Sequence, residues 1–155
     1  MTMSARLKTF LDENNVRYTL MTHSPAYTAQ AAAATLHVPG KELAKTVVMS
    51  AGDNTVLAVL PASFHVDLKK LGELVGRSVR LATEAEFMSL FPDCELGAMP
   101  PFGSIYNLPV YVDESLAADE EIVFNAGTHR DAIRMRFADF ERIAKAKRGS
   151  FAKKG

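Results

Sequence analysis

Lys45 is the last charged residue before the apolar run that begins within Leu43–Val48, LAKTVV. The run predicts a buried strand, so the methylenes of Lys45 can lie on the core while its ammonium group reaches a cleft. There the charge could stabilise a phosphate or a developing oxyanion. A plain lysine at a strand end, with its ammonium group in solvent, is the alternative.

The loop Glu95–Gly103, ELGAMPPFG, places two prolines between two glycines. Each proline holds φ near −65° and lacks an N–H donor. Gly97 and Gly103 allow backbone paths that a Cβ would forbid. We therefore expect a stiff loop with free carbonyl groups, which would suit a cation such as an α-ammonium group. A rigid connector between a helix and an edge strand is the alternative.

A tight turn is expected in Asn125–His129, NAGTH, between two strands. Gly127 and Thr128 form the turn, and His129 follows it. An imidazole there can hydrogen-bond to a hydroxyl or phosphate group. The alternative is a turn histidine whose hydrogen bonds are made by the backbone.

Other chemistries find little support. The four histidines and Cys94 have no metal-ligand spacing, so no metal site is expected. Cys94 lies between Asp93 and Glu95, whose charges would raise the pKa of its thiol. The sequence contains neither a phosphate-binding P-loop nor a Gly-x-Ser-x-Gly nucleophile elbow, and no cofactor is implied.

Length and composition favour one globular domain over residues 1–155. Hydrophobic residues make up 48% and charged residues 23% of the chain, which has a single cysteine. No signal peptide or membrane span is expected, so we predict a cytoplasmic protein. The formal net charge is zero, which argues against binding nucleic acid by bulk attraction alone.

Charge is nevertheless uneven along the chain. Residues 84–127 contain nine acidic and no basic residues, and residues 128–155 contain nine basic residues against three acidic ones. Such a basic segment can bind an anionic partner, or it can be a solvated helix followed by a frayed tail. We expect residues 146–155 to form a flexible basic tail.

Hydrophobic periodicity predicts intermixed helices and strands, with a β-hairpin around Ala51–Asn54. The pattern indicates an α+β fold with a mixed, mostly antiparallel, barrel-like sheet surrounded by helices. The expected helices are Ser4–Asn14, Thr28–Leu36, Asp67–Leu74, Thr83–Phe91 and Phe137–Lys145. The expected strands are Arg17–Met21, Thr46–Ser50, Thr55–Leu60, Val79–Ala82, Leu108–Val112, Glu121–Asn125 and Ile133–Phe137.

Four segments, in this order, resemble the YbaK/prolyl-tRNA-synthetase-associated editing domain family. They are His23–Pro39 with its alanine-rich helix, Leu43–Val48 with Lys45, the Gly-x-x-x-Pro segment Gly97–Pro101, and Ala126–Met135 with its Gly-x-His turn. The resemblance implies a barrel-like α+β fold and hydrolysis of the ester between a wrong amino acid and the 3′ end of a tRNA. It implies the free-standing kind, acting on tRNA for proline, with prolyl-tRNA synthetase as a partner. The oligomeric state is left open.

The resemblance also implies roles for residues. Lys45 would be catalytic, holding the terminal phosphate, the ribose or the oxyanion, and a water positioned by the substrate's own 2′-hydroxyl would attack. The α-ammonium group would lie against backbone carbonyls of the loop. A non-catalytic binding module on the same fold is the alternative. The substrate-binding residues expected are Gly97, Ala98, Met99, Pro100, Pro101, Gly127, Thr128, His129 and Tyr27, and those for tRNA are Arg130, Arg134, Lys145, Lys147 and Arg148.

Overall fold

The computed structural model describes residues 4–22 and 42–154. The helix expected at Thr28–Leu36 and the candidate pocket residue Tyr27 lie outside these ranges. The helices are α1 Ala5–Glu13, α2 Leu68–Val75, α3 Glu84–Phe87 and α4 Phe137–Ala144. The strands are β1 Tyr18–Thr22, β2 Ala44–Ala51, β3 Asn54–Pro61, β4 Phe64–Val66, β5 Arg80–Leu81, β6 Val110–Asp113, β7 Glu121–Asn125, β8 Asp131–Arg136, β9 Lys147–Gly149 and β10 Ala152–Lys154.

The expected hairpin forms the centre of a five-stranded sheet. β2 pairs antiparallel with β3 from Ala44 opposite Pro61 to Ala51 opposite Asn54, which leaves a two-residue turn. The strand order is β5-β2-β3-β6-β9, and β6 and β9 join in parallel. β6 begins directly after Pro109. Because Pro109 precedes the strand, its missing N–H removes no hydrogen bond from the sheet. The expectation of an α+β fold with mixed, mostly antiparallel pairing is confirmed, although the described strands form three sheets and close no barrel.

A second sheet carries the Gly-x-His turn. β8 lies between β1 and β7 and is antiparallel to both. Ile133 and Met135 of β8 face the core, whereas Arg134 and Arg136 face outward, as the alternation in the sequence predicts. The turn between β7 and β8 is therefore held at one end of a three-stranded antiparallel sheet.

Apolar residues pack on both faces of the hairpin. Leu57 and Val59 of β3 belong to the larger cluster, whose centre is the fully buried Phe102. The Phe102 ring packs against Phe10, Phe124 and Phe140, with ring centroids 5.3, 5.4 and 5.6 Å away. The other face packs on α2, where Met49, Leu60, Leu71 and Phe151 are fully buried.

Local capping sets the helix ends. Ser4 caps α1 by accepting a hydrogen bond from the Leu7 amide at 3.3 Å, and Asp67 caps α2 through the Lys70 amide at 3.1 Å. α3 ends at Phe87 and continues as the 3₁₀ turn Met88–Leu90, so one continuous helix to Phe91 was a wrong expectation. Within the described ranges, no helix is long and apolar enough to cross a bilayer.

The expected flexible tail is instead part of the fold. β9 pairs with β6, and β10 pairs with β4. Between them, Phe151 is fully buried against the second core cluster. Burying an aromatic ring of this size stabilises the fold by about 2–3 kcal/mol relative to leaving it in water, which is enough to fix a short basic segment.

Candidate active site

The proline loop and the Gly-x-His turn are joined along their backbones. The Glu95 amide donates to the Gly127 carbonyl at 2.7 Å, and the Gly127 amide donates to the Ala98 carbonyl at 3.0 Å. The His129 amide donates to Oε1 of Glu95 at 2.6 Å. Two segments about 30 residues apart in sequence thus form one rigid unit, which is the central feature of the candidate site.

His129 braces the loop with its ring. Nε2 lies 2.6 Å from the Leu96 carbonyl, so the tautomer that fits places the proton on Nε2. The side chain is almost wholly buried, and the ring also lies beside Gly97, where an added Cβ would stand 3.5 Å from Cε1. The ring nitrogen nearest the loop is therefore engaged by the protein itself.

The loop carbonyls differ in their partners. Ala98 already accepts a hydrogen bond from Gly127, so the expectation of free carbonyls throughout the loop is wrong at this residue. The carbonyls of Gly97, Met99, Pro100 and Pro101 accept no hydrogen bond from a backbone amide within the described ranges. Of these, Gly97 is exposed and the other three residues are buried. Carbonyl groups that could bind a cation therefore remain in the loop, but they are fewer than the sequence suggests.

The turn is built around Thr128. Its hydroxyl donates to Oδ2 of Asp131 at 2.7 Å and accepts from the amides of Arg130 and Asp131 at 3.1 and 3.0 Å. Thr128 and Asp131 are both buried. The Thr128 hydroxyl is therefore fully used in holding the turn, and the expected role of Thr128 in substrate binding stays a prediction.

Helix α1 supports this unit from behind. The Ser4 amide donates to the Ala126 carbonyl at 3.3 Å, and the Ser4 hydroxyl donates to the Asp93 carboxylate. Tyr106 donates to the same carboxylate at 3.1 Å. Burial alone would raise the pKa of Asp93, but these hydrogen bonds, with that from Ser4 the strongest, and the charge of Arg6 outweigh it and lower the pKa. The ionised form of Asp93 is thus the one that holds the helix to the loop.

Lys45 lies two residues beyond a strand bridge to β7. Leu43 makes a parallel bridge to Val123 of β7, and the Val123 amide donates to the Glu42 carbonyl at 3.0 Å. β2 and β7 run in the same direction from that bridge. β2 leads to Lys45, and β7 leads to the Gly-x-His turn. Lys45 is half-buried and forms no ion pair with a described residue. Burial lowers the pKa of its ammonium group below the usual 10.5.

Large apolar side chains of the hairpin and of the proline loop pack into the core. Met49 is fully buried in the cluster beneath α2, and Phe102 is the centre of the larger cluster. Met99 is 6% exposed and lines a cavity of about 240 Å³ with Phe87, Phe91 and Leu96, among others. Of the expected substrate-binding residues that the structure describes, Met99 is the one that lines this cavity beside the proline loop.

The expected tRNA-binding residues separate into two groups. Arg130 is exposed in the turn beside His129, and Arg134 lies on β8. Lys145 and Lys147 are exposed at the end of α4 and on β9, which lies three strands from β2. The Arg148 guanidinium forms two hydrogen bonds with Glu141, at 2.8 and 2.7 Å. The first two residues thus lie in the Gly-x-His turn and on the sheet that carries it, and the other three at the end of α4 and on β9, and their expected role in tRNA binding stays a prediction.

Two supporting residues were not anticipated. Glu95 stands inside the loop, but its contact with the His129 amide depends on a fold that joins distant segments. Asp93 was weighed only for its effect on Cys94. Within the described ranges, no group of three histidine, cysteine or acidic side chains could hold a metal ion.

Comparisons with known proteins identify the family and the fold. The protein-family model of the aminoacyl-tRNA editing domain matches residues 23–143 of this chain. The multifunctional Ser/Thr-tRNA deacylase ProXp-y of Escherichia coli strain K12 is 30% identical over 145 residues, which cover 90% of this chain and 86% of that protein. The solved structure of the hypothetical protein APE2540 superposes with a TM-score of 0.88 at 21% identity, covering 96% of this chain and 99% of that one. A protein described as a candidate trans-editing enzyme for prolyl-tRNA synthetase gives 0.83 at 24% identity, covering 97% and 96%. This chain belongs to the aminoacyl-tRNA editing domain family.

Proposed function

We propose that this protein is a free-standing aminoacyl-tRNA deacylase, which hydrolyses the ester between a wrong amino acid and the 3′ end of a tRNA. The observation that carries the proposal is the rigid unit of Glu95–Ala98 and Gly127–His129, with Lys45 on the strand that is bridged to β7. The family match covers all three features.

The chemistry needs few protein groups. An aminoacyl ester is activated, so a positioned water and stabilisation of the oxyanion suffice. In the proposal, Lys45 supplies the positive charge to the oxyanion or to the terminal phosphate, and its lack of a described carboxylate partner leaves that charge available. The 2′-hydroxyl of the substrate positions the water.

The substrate amine lies against the loop in this proposal. Carbonyl oxygens attract an ammonium group, and those of Gly97, Met99, Pro100 and Pro101 are the ones without a described backbone amide partner. Gly127 keeps the loop in register, and Thr128 and His129 hold the turn and the loop. Tyr27 is kept as a pocket wall. Selection among amino acids would then rest on pocket volume, which gives about 1–3 kcal/mol per methylene.

The partner is tRNA, and the proposal places the protein in the cytoplasm, where tRNA is charged. The relative named above is described as acting on Ser- and Thr-tRNA, so serine, threonine and other small amino acids are the first to test. We further propose tRNA for proline as the carrier and prolyl-tRNA synthetase as a partner. Arg130 and Arg134 are the proposed tRNA contacts in the turn and on the sheet that carries it; Lys145, Lys147 and Arg148 are further candidates.

The deciding experiment measures deacylation of a panel of mischarged tRNAs by wild type, Lys45→Ala and Lys69→Ala. Lys69 is an exposed lysine on α2 and serves as the matched control. Lys45→Ala should remain folded and lose at least about 3 kcal/mol of transition-state stabilisation, a factor of more than 100 in rate, while the control stays active. Absence of turnover on every substrate, together with intact tRNA binding, would favour the non-catalytic binding module instead.

A further inference from the structure

A groove of about 540 Å³ crosses the outer face of the β1-β8-β7 sheet at the end away from the Gly-x-His turn. Among the described residues, three arginines line it, Arg17, Arg134 and Arg136, and Glu121 is the one acidic residue. The remaining lining comes from Val16 before β1, from Tyr18 and Thr19 of β1 and from Met135 of β8. This is a concave surface with a clear excess of positive charge, in a chain whose formal net charge is zero.

The arginines of the groove differ from most others in the chain. Arg80 and Arg148 each form two hydrogen bonds with a glutamate, and Arg142 pairs with Asp139. By contrast, Arg17 and Arg136 are exposed and form no ion pair with a described residue. The third, Arg134, approaches Glu121 only to 3.9 Å, with both side chains partly in solvent, so little of its charge is neutralised.

The register of the sheet places these charges in a line. Thr19 of β1 stands opposite Arg134, and Glu121 of β7 stands opposite Arg136. Side chains two residues apart on a strand share a face, so Arg134 and Arg136 project from the same side of β8. Arg17 directly precedes β1, whose first residue, Tyr18, pairs with Met135.

β8 also connects the groove to the candidate active site. The strand begins at Asp131, which holds Thr128 in the turn, and ends at Arg136. At about 3.3 Å per residue, the five steps between them cover about 17 Å. Ala132 and Val123 are fully buried on this face near the turn, so a chain whose 3′ end lies at the turn would pass outside that covered part and reach the groove a few nucleotides upstream.

We propose that this groove binds backbone phosphates of the tRNA upstream of its aminoacylated 3′ end, with Arg17 and Arg136 as the main contacts and Arg134 in support. The inference rests on the proposed function, because that function places the 3′ end at the turn. A guanidinium group presents a planar pair of donors that matches phosphate oxygens. Phosphate contacts position a nucleic acid without reading its sequence, so the groove supplies affinity and register, and the loop supplies the choice of amino acid.

The test compares Arg17→Ala/Arg136→Ala with Lys69→Ala/Lys70→Ala, which removes the same charge from the exposed face of α2. Binding of an uncharged full-length tRNA is measured across a salt series. Deacylation is measured on a full-length mischarged tRNA and on a 3′-aminoacylated adenosine. The groove variant should bind full-length tRNA about tenfold or more weakly, with a salt slope reduced by about one to two. It should lose activity on that tRNA and keep it on the adenosine ester, whereas the control should resemble wild type. Arg17→Lys/Arg136→Lys should recover part of the binding.

Three results would overturn the proposal: equal effects of the groove and control variants, an unchanged salt slope, or equal losses on the tRNA and on the adenosine ester. The last would mean that the substitutions disturb the active site itself. If wild type deacylates nothing but the groove variant alone loses tRNA binding, the groove stands and the deacylase proposal fails. If prolyl-tRNA synthetase binding is lost while tRNA binding is kept, the groove contacts protein and the inference is wrong.

Discussion

Nε2 of His129 lies 2.6 Å from the carbonyl oxygen of Leu96, and this contact fixes the proline loop to the turn between β7 and β8. The two residues are 33 positions apart in sequence. A buried imidazole thus acts on the loop next to the expected amine position, and its removal should be felt in catalysis rather than in folding alone.

His129→Ala should reduce the kcat/KM for deacylation because the loop loses its side-chain anchor while the backbone contacts of Glu95 and Gly127 remain. A shift of about 1 Å in a positioned group can cost about 100-fold. His129→Gln, whose amide can still donate to the Leu96 carbonyl, should recover part of the rate. Steady-state kinetics with circular dichroism as a folding check would test this. Equal rates for the alanine and glutamine variants would show that the contact does not matter.

Much of the fold could be predicted from the sequence because its signals are local. The β2-β3 hairpin, the Asp67 cap and the alternation of β8 each depend on residues within a few positions of one another. β9 and β10 were missed because short basic strands carry no alternation. They are held by Phe151 and by pairing with β6 and β4, which are distant in sequence.

The site was predictable in outline for a different reason. Lys45, the proline loop and His129 were selected by residue type and by their order along the chain. The contacts that organise them, such as Glu95 with His129 and Ser4 with Asp93, join segments 34 and 89 positions apart. Single-sequence patterns carry no signal for such pairs, so the supporting residues and the carbonyl already used at Ala98 became visible only in three dimensions.

Gly127→Ala should disturb the candidate site more than the matched change Gly76→Ala. Both glycines have φ near the same positive value, +95° and +93°, so both substitutions carry a backbone cost of about 1–2 kcal/mol. At Gly76 nothing lies within 4 Å of the added Cβ, whereas at Gly127 it would lie 3.2 Å from Cβ of Ser4 and 3.4 Å from its nitrogen. Urea unfolding and deacylation rates would compare the two. Equal stability loss with equal activity would contradict a supporting role for the Ser4 contact.

The pH dependence of deacylation should report the charge of Lys45. Burial lowers the pKa of this group below 10.5, so it becomes neutral at a lower pH than an exposed lysine does. After subtraction of spontaneous ester hydrolysis, the enzymatic rate should fall on the alkaline side below pH 10.5. Arginine keeps its charge throughout this pH range. The rate of Lys45→Arg should therefore show no alkaline fall, even if it is lower at every pH. An identical alkaline fall in Lys45→Arg would assign it to another group.

Cys94 should be dispensable for catalysis and slow to react. Burial, followed by the nearby Asp93 charge, raises the pKa of its thiol to about 11, although a hydrogen bond with Tyr106 acts in the opposite direction. At pH 8 very little thiolate is present, so labelling with iodoacetamide should be far slower in native than in urea-unfolded protein. Cys94→Ala should retain deacylation within about twofold. Loss of activity without loss of stability would revive a role for the thiol.

Asp113 should control the acid stability of the C-terminal strands. Its buried carboxylate accepts hydrogen bonds from the Ser115 hydroxyl at 2.5 Å and from the amides of Ser115, Phe151 and Ala152 at 3.0, 2.7 and 2.8 Å. Burial alone would raise the pKa of Asp113, but the hydrogen bonds outweigh it, and the pKa is lowered below the usual 3.8. The folded state therefore binds this proton less readily than the unfolded chain, so the stabilisation is complete above about pH 5 and is lost as pH falls through the lowered pKa.

Asp113→Asn replaces one acceptor oxygen with the NH₂ group of a carboxamide, a donor that would face backbone N–H donors. We expect it to reduce the free energy of unfolding by about 2–4 kcal/mol at pH 7 and to remove this contribution to the acid dependence. Asp53→Asn, at an exposed residue of the β2-β3 turn, is the control and should leave both nearly unchanged. Urea unfolding between pH 3 and 7 measures both quantities. A variant that is as stable as the control at pH 7 and equally sensitive to acid would show that Asp113 does not hold β10 to the fold.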